Sequence, residues 1–126
     1  MAIYGIGAFQ DGHRQVLDDF IQNGIAATNQ PASAVVVHEF LDRIQTGDLI
    51  YAKSFNPTKG LTIKAIGIVT DGTLIYDPNV GKGIRVKWVW HGENVIGQLN
   101  DNYPIRTCTI YEELNPELKK LIASHF

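Results

Sequence analysis

The spacing of apolar positions along the chain predicts three helices. Residues 13–23 place apolar side chains three or four positions apart, and Gly24 follows where a left-handed helix cap is expected. A second apolar stripe of this kind begins after Ser33, which can cap the helix, and ends near Gly47. A third helix is predicted from Asn115, because the next residue is proline, which is favoured at the first helical position.

Elsewhere the apolar positions alternate with the two-residue period that is typical of strands. Short stretches rich in polar residues, proline and glycine break this alternation into segments. The predicted strands are residues 2–9, 47–55, 61–70, 73–77, 84–92 and 105–114. Strands of this length can curl into a barrel that helices cover, so we predict an α+β domain with a small, curved, antiparallel-rich β pseudo-barrel and about three helices.

Composition narrows the function classes. The chain has 126 residues, 44% hydrophobic and 19% charged, so one folded domain over residues 1–126 is expected. A formal net charge of −2 argues against binding duplex nucleic acid by bulk phosphate neutralisation, so any nucleic-acid contact must be local. No apolar run approaches the roughly 18 residues that span a bilayer, and the first residues lack a secretory leader. With one cysteine, Cys108, the expectation is a cytoplasmic protein without a membrane partner.

Residue types suited to catalysis or metal binding are not arranged in known motifs. Ser54 has no nucleophile-elbow glycines around it, and Cys108 stands in a predicted strand, where a small buried apolar role is expected. The histidines are scattered, and no pair of His, Asp or Glu has the spacing of a metal site. The glycines at 5–7 and 81–83 match neither a P-loop nor a dinucleotide fingerprint. We therefore expect no metal and no cofactor, and the residues favour a protein that is not an enzyme.

Aromatic side chains next to cations are the remaining chemical signal. Tyr51, Lys53 and Phe55 share one face of a predicted strand, and the alternation at 84–90 places Trp88 and Trp90 together on one face, between cationic neighbours. A nucleobase stacks on an aromatic plane for roughly 1–3 kcal/mol while a nearby cation holds its phosphate. The pattern therefore suits a pocket for one base, although aromatic residues in strands also serve ordinary core packing.

Three phrases of the sequence, in this order, resemble the PUA-like superfamily. They are a Gly-Asp turn into an apolar strand ending in Lys-Ser (47–54), an Ile-Lys-Ala-Ile-Gly-x-Val strand (63–69), and a strand that closes on Val-Lys-Trp (86–88). Upstream, residues 3–26 are similar to the strand, glycine-rich bend and helix that open those domains. The resemblance covers about residues 2–90. It points to EVE-type domains and to the N-terminal DNA-recognition domain of some methylcytosine-specific restriction ATPases.

The resemblance implies a cleft that binds a nucleic acid, often with a modified base flipped out of the stack into an aromatic pocket. By position, the implied nucleic-acid-binding or ligand-binding residues are Tyr4, Phe9, Lys53, Ser54, Phe55, Lys64, Trp88 and Trp90, beside Gly7 in the bend. The first expected function is thus a stand-alone module that reads a base in a nucleic acid or a modified nucleotide. An effector protein supplied in trans would act on what the module reads.

Two other functions agree with the same resemblance. Some PUA-like domains remove an acyl group from cytidine derivatives with a Lys, a Thr or Ser, and a Glu, and Lys53 with Ser54 match two of these roles. The third function is a protein-interaction module whose cleft is blocked and which binds no nucleic acid. The sequence does not choose between DNA and RNA, and it identifies neither the modification nor the oligomeric state.

Overall fold

A computed structural model describes residues 1–10, 14–101 and 104–126, and within these residues it shows the predicted α+β fold. The strands are β1 (Ile3–Gly7), β2 (Phe9–Gln10), β3 (Arg14–Gln15), β4 (Ile25–Thr28), β5 (Leu49–Asn56), β6 (Gly60–Asp77), β7 (Gly81–Gly97) and β8 (Ile110–Glu112). The helices are α1 (Leu17–Asn23), α2 (Val35–Arg43) and α3 (Pro116–Ala123), and a 3₁₀ turn spans Pro104–Thr107.

Six strands form one curled sheet, a half-barrel that confirms the predicted small pseudo-barrel. Their order is β4–β7–β6–β5–β1–β8, and β2 pairs separately with β3. Neighbours in the large sheet are antiparallel except β1 and β5, which run parallel and pair Gly7 with Lys53 at their carboxyl ends. These two ends therefore meet at one place on the sheet.

Each face of the sheet packs against its own apolar cluster. Along β5, Ile50 and Ala52 belong to the cluster that includes Phe20 of α1 and Leu41 of α2. Alternate residues of the same strand, such as Tyr51, belong to the cluster that α3 completes. Because strand side chains alternate between faces, α1 and α2 cover one side of the half-barrel and α3 covers the other.

The hairpin of β6 and β7 is longer than the sequence predicts. The turn predicted at residues 71–72 is wrong, because 61–70 and 73–77 form one strand whose pairing register shifts on both sides of Asp71. Gly72 lets the loop after α2 approach the strand. Its N–H donates to Thr46 Oγ1 at 3.0 Å, and an added Cβ would lie 3.0 Å from the Ile44 carbonyl oxygen. This glycine therefore serves a close contact rather than a turn.

The two tryptophans do not share one face, contrary to the alternation that the sequence predicts. Trp88 pairs with Gly67 and Trp90 pairs with Ile66, so two residues advance on β7 while one advances on β6. Such a bulge shifts side chains to the other face. Trp88 packs against the cluster under α1, whereas Trp90 packs against the cluster under α3.

The helix ends agree with the predicted signals at two positions and differ at others. Gly24 has the predicted left-handed φ of 60°, and the Asn115 side chain caps α3 by accepting from the Leu118 N–H. The capping role of Ser33 is wrong, because α2 begins after Ala34 without a side-chain cap. The first helix starts at Leu17, so the helix predicted from residue 13 is wrong at its beginning, where Arg14–Gln15 form β3. Residue 13 itself lies outside the described residues.

Two further strand predictions need correction. The strand predicted at 2–9 is interrupted: β1 ends at residue 7, and β2 begins at residue 9. The strand predicted at 105–114 is instead a 3₁₀ turn followed by the short β8. Strand β4 was not predicted at all. No helix in the described ranges is long and apolar enough to cross a membrane.

Candidate functional site

A recess opens where the carboxyl ends of the parallel strands β1 and β5 meet. It has a volume of about 220 Å³, which is below the ~300–1,000 Å³ of pockets for drug-sized ligands and suits a group no larger than one planar heterocycle. We call it the first recess. The described residues that line it are Gly7, Phe9, Lys53, Ser54, Phe55, Thr107, Cys108 and Thr109.

Two phenylalanine rings contribute the apolar surface of the first recess. Phe9 on the short strand β2 is 49% exposed, so about half of its surface remains accessible to a ligand. Phe55 near the end of β5 is half-buried against the cluster under α3 and presents its remaining surface to the recess. Exposed aromatic surface at the mouth of a concave site is a stacking platform for a planar ligand.

Lys53 lies at the base of the first recess and is only 6% exposed. Its Nζ donates to the carbonyl oxygens of Arg106 at 2.8 Å and Cys108 at 2.9 Å, and it lies 5.5 Å from the centre of the Tyr111 ring. Burial lowers the pKa of Lys53 to about 8, against a smaller raising effect from Cys108. The lysine therefore ties both the 3₁₀ turn and the residue after it to β5, and it places an ammonium group beside the cavity.

The lowered pKa of Lys53 predicts that the protein becomes more stable as pH rises. Unfolding returns the amine to water, where its pKa is about 10.4, so between about pH 8 and pH 10 the unfolded chain binds more protons than the folded protein. Linkage then makes the free energy of unfolding rise across this window. Urea denaturation should show that rise in the wild type and lose it in Lys53→Met. Equal pH slopes for the two proteins would contradict the prediction.

A buried ionic network fixes the other side of the first recess. The Arg106 guanidinium donates to both oxygens of Glu113, at 3.0 and 2.6 Å, and to both oxygens of Asp101, at 2.9 and 2.8 Å. Arg106 is 2% exposed and Glu113 is fully buried. Because the Arg106 carbonyl also accepts from Lys53, this network holds the segment that supplies Thr107 and Cys108.

A second recess, of about 400 Å³, adjoins the first recess at the end of β5. It shares Ser54 and Phe55 with the first recess, and its other described lining residues are Asn56, Lys59, Gly60, Thr62, Lys64, Glu93 and Val95. Lys64 is paired there with Glu93 at 2.5 Å. The hydrogen bond and charge of Lys64 lower the pKa of Glu93, so its carboxylate remains ionised.

The structure brings together five of the eight residues that the sequence resemblance implied. Phe9, Lys53, Ser54 and Phe55 line the first recess, and Lys64 lines the second recess beside it.

The other three implied residues lie elsewhere. Tyr4 is 4% exposed and packs edge-on against Phe40 of α2, because its position on β1 faces the core. Trp88 is stacked on Phe20, and Trp90 lies against His125 on the opposite face. Among the described residues that line either recess, none of these three aromatic side chains is found.

Sequence reasoning missed the segment Thr107–Thr109. Cys108 was expected to be a small buried residue in a strand, but it is exposed and precedes β8. The Gly7 N–H donates to the Thr109 carbonyl at 2.8 Å, which brings this distant segment to the end of β1. No local pattern signals a contact across a hundred residues.

In the described part of the chain, no group of three or more His, Cys, Asp or Glu residues could hold a metal ion.

The fold and the two recesses define a small α+β protein with an aromatic and cationic ligand-sized opening. The chain belongs to the family described as Domain of unknown function (DUF8426), whose model matches residues 6–114. That range includes all the described residues that line both recesses. A search of curated proteins gives no match.

Proposed function

We propose that the protein binds a nucleic acid and reads one base, a modified one, in the first recess. The observation that carries this proposal is the meeting of Phe9, Phe55, Lys53 and Ser54 around one opening of about 220 Å³. None of the described lining residues of this opening is acidic, so nothing among them repels a phosphate. The resemblance to PUA-like readers supports the same function.

The residues of the first recess have complementary tasks in this proposal. The rings of Phe9 and Phe55 stack against the faces of the base, which is sequence-tolerant because every base has an aromatic face. The Ser54 hydroxyl can donate to or accept from a base edge. An ammonium has three N–H donors, and the backbone accepts from Lys53 twice, which leaves one donor for the ligand.

Phe9→Ala is expected to weaken binding without unfolding the protein. The ring is 49% exposed, so its loss costs little packing, whereas one lost stacking contact is worth about 1–3 kcal/mol, or roughly 5- to 150-fold in Kd. Binding is measured with oligonucleotides that carry one methylated or one acylated cytosine, each compared with the unmodified sequence. The matched control is Tyr76→Ala, which removes a 77% exposed ring near the far end of β6.

Cys108 localises the binding event in the same experiment. It is the only cysteine of the chain, it is exposed, and it lines the first recess. A bound oligonucleotide should therefore slow its alkylation by iodoacetamide in the wild type and in Tyr76→Ala, and less in Phe9→Ala. Binding that leaves the alkylation rate unchanged would place the nucleic acid elsewhere. Failure of every oligonucleotide to bind would favour a protein-interaction module.

Hydrolysis of an acylated cytidine is a second candidate function, favoured by one observation. Lys53, with its pKa lowered to about 8, lies next to Ser54 in the same recess, and amines shifted toward neutrality are common at catalytic sites. The carboxylate that such chemistry also needs is not among the described lining residues. Release of the acyl group by the wild type and not by Lys53→Ala would assign this function, and absence of turnover would reject it.

A further inference from the structure

The second recess contains a lysine whose charge is neutralised by a partner that can leave. The Lys64 side chain is 16% exposed and points its ammonium at Glu93, whose own side chain is 68% exposed. An exposed ion pair contributes little to stability, and a well-hydrated carboxylate returns to water at small cost. A phosphate, which lysine also binds as a point charge, can therefore replace Glu93 there.

The loop beside Lys64 is held in shape before any ligand binds. Asn56 Oδ1 accepts the backbone N–H groups of Thr58 at 2.8 Å and Lys59 at 3.1 Å. The Gln98 side chain donates to the carbonyls of Pro57 and Thr58 from the end of β7. These hydrogen bonds hold Lys59 at the edge of the second recess. A second cation is therefore in place before a ligand binds, and binding does not have to pay the entropic cost of ordering the loop.

The two recesses share the wall formed by Ser54 and Phe55. A base in the first recess and its neighbouring phosphate can therefore lie on the two sides of this wall. We propose that the second recess holds the backbone phosphate next to the base that is read, and that Glu93 occupies this phosphate site in the free protein. The inference rests on the proposed function and specifies its ligand as a nucleic acid strand rather than a free base or nucleoside.

Glu93→Gln and Lys64→Gln should change the affinity in opposite directions. The probe is the modified oligonucleotide of the previous experiment, in a phosphodiester form and in a form with uncharged methylphosphonates on both sides of the modified base. Glu93→Gln should bind the phosphodiester form about two- to fivefold more tightly, the range that an exposed ion pair supports. Lys64→Gln should bind it about tenfold more weakly, as expected for one lost charge-assisted hydrogen bond. Neither variant should change binding of the methylphosphonate form.

Matched variants separate a local site from a change in overall charge. Glu39→Gln on α2 removes the same negative charge from an exposed position, and Lys82→Gln removes a positive charge at the other end of β7. Both should leave the affinity ratio of the two oligonucleotides unchanged. In the double variant Lys64→Gln/Glu93→Gln, the gain from Glu93→Gln should disappear, because the two effects act through one ion pair.

The outcomes distinguish this inference from the proposed function. If Phe9→Ala weakens binding but both oligonucleotide forms bind equally, the first recess reads a base and the phosphate site is wrong. A gain from Glu93→Gln that persists in the double variant would also overturn the inference. Competition with inorganic phosphate shows whether the second recess binds a backbone phosphate or free phosphate. If the oligonucleotide displaces inorganic phosphate from the second recess, the result supports a backbone site. If the oligonucleotide does not affect phosphate binding, the inference is overturned.

Discussion

Replacing Glu113 by glutamine is expected to lower the free energy of unfolding by about 3–5 kcal/mol, because it breaks a buried ionic network. The carboxylate is fully buried and accepts hydrogen bonds on both oxygens. One oxygen accepts from the Tyr51 hydroxyl at 2.6 Å and from Arg106 Nε at 3.0 Å. The other accepts from Arg106 Nη2 at 2.6 Å and from the Asn115 N–H at 3.0 Å. Glutamine offers one oxygen and one NH₂, so the donors on one side would face another donor. Arg106 would also lose the negative charge of Glu113, although Asp101 would remain as an anionic partner.

Urea denaturation at neutral pH measures this loss, with Glu39→Gln as the control because that exposed side chain on α2 should change stability by less than about 0.5 kcal/mol. Tyr51→Phe tests one arm of the network and should cost about 1–2 kcal/mol, since it removes a buried hydroxyl but leaves the ion pair. A loss below about 1 kcal/mol for Glu113→Gln would show that the network is not closed around this carboxylate.

The same network connects stability to the candidate site. Arg106 uses its guanidinium for the network and its carbonyl for Lys53, so loosening Glu113 should also free the segment that carries Cys108. The Cys108 N–H donates to the Ile105 carbonyl at 2.8 Å, so its hydrogen exchange should be faster in Glu113→Gln than in the wild type, even at urea concentrations where both proteins remain folded.

Local sequence signals were sufficient to predict the helix ends that are fixed by neighbouring residues. The cap of α3 depends on Asn115 and the proline after it, and the end of α1 depends on Gly24, so three or four residues carry each signal. Asp71-Gly72 has the composition of a hairpin turn, yet the chain continues as β6. The reason is a contact with the distant loop at Thr46, which no local pattern encodes.

In the candidate site, too, some residues are brought together by their adjacency in the sequence and others by contacts between distant parts of the chain. Lys53, Ser54 and Phe55 are consecutive, so their common location follows from the chain itself. The position of Phe9 beside them depends on the parallel pairing of β1 with β5, which was not predicted. The resemblance placed Phe9 in the same pocket only by its position in the sequence. Glu93 was not predicted to lie at the site, because its contact with Lys64 crosses the β6–β7 hairpin between residues twenty-nine positions apart along the chain.

Trp88→Ala is expected to destabilise the protein by about 3 kcal/mol, at the low end of the range for buried aromatic residues because the side chain is only partly buried. The indole stacks parallel to Phe20, with ring centres 6.3 Å apart. Its Nε1–H donates to the carbonyls of Phe20 at 3.0 Å and Ile25 at 3.2 Å, on the two sides of the Gly24 cap. Trp88 therefore joins β7 to the end of α1, a structural role that competes with the base-stacking role implied by the resemblance.

Two comparisons decide between these roles of Trp88. Trp88→Phe keeps an aromatic ring for stacking but leaves two carbonyls without the indole donor, so it should cost about 1 kcal/mol of stability. Urea denaturation, run in parallel with the binding experiment, gives the fraction of Trp88→Ala that is folded. If the role of Trp88 is structural, this folded protein should bind the modified oligonucleotide with wild-type affinity. A variant that retains wild-type stability but loses binding would instead place the base against the indole, and the first recess would then not be the reading site.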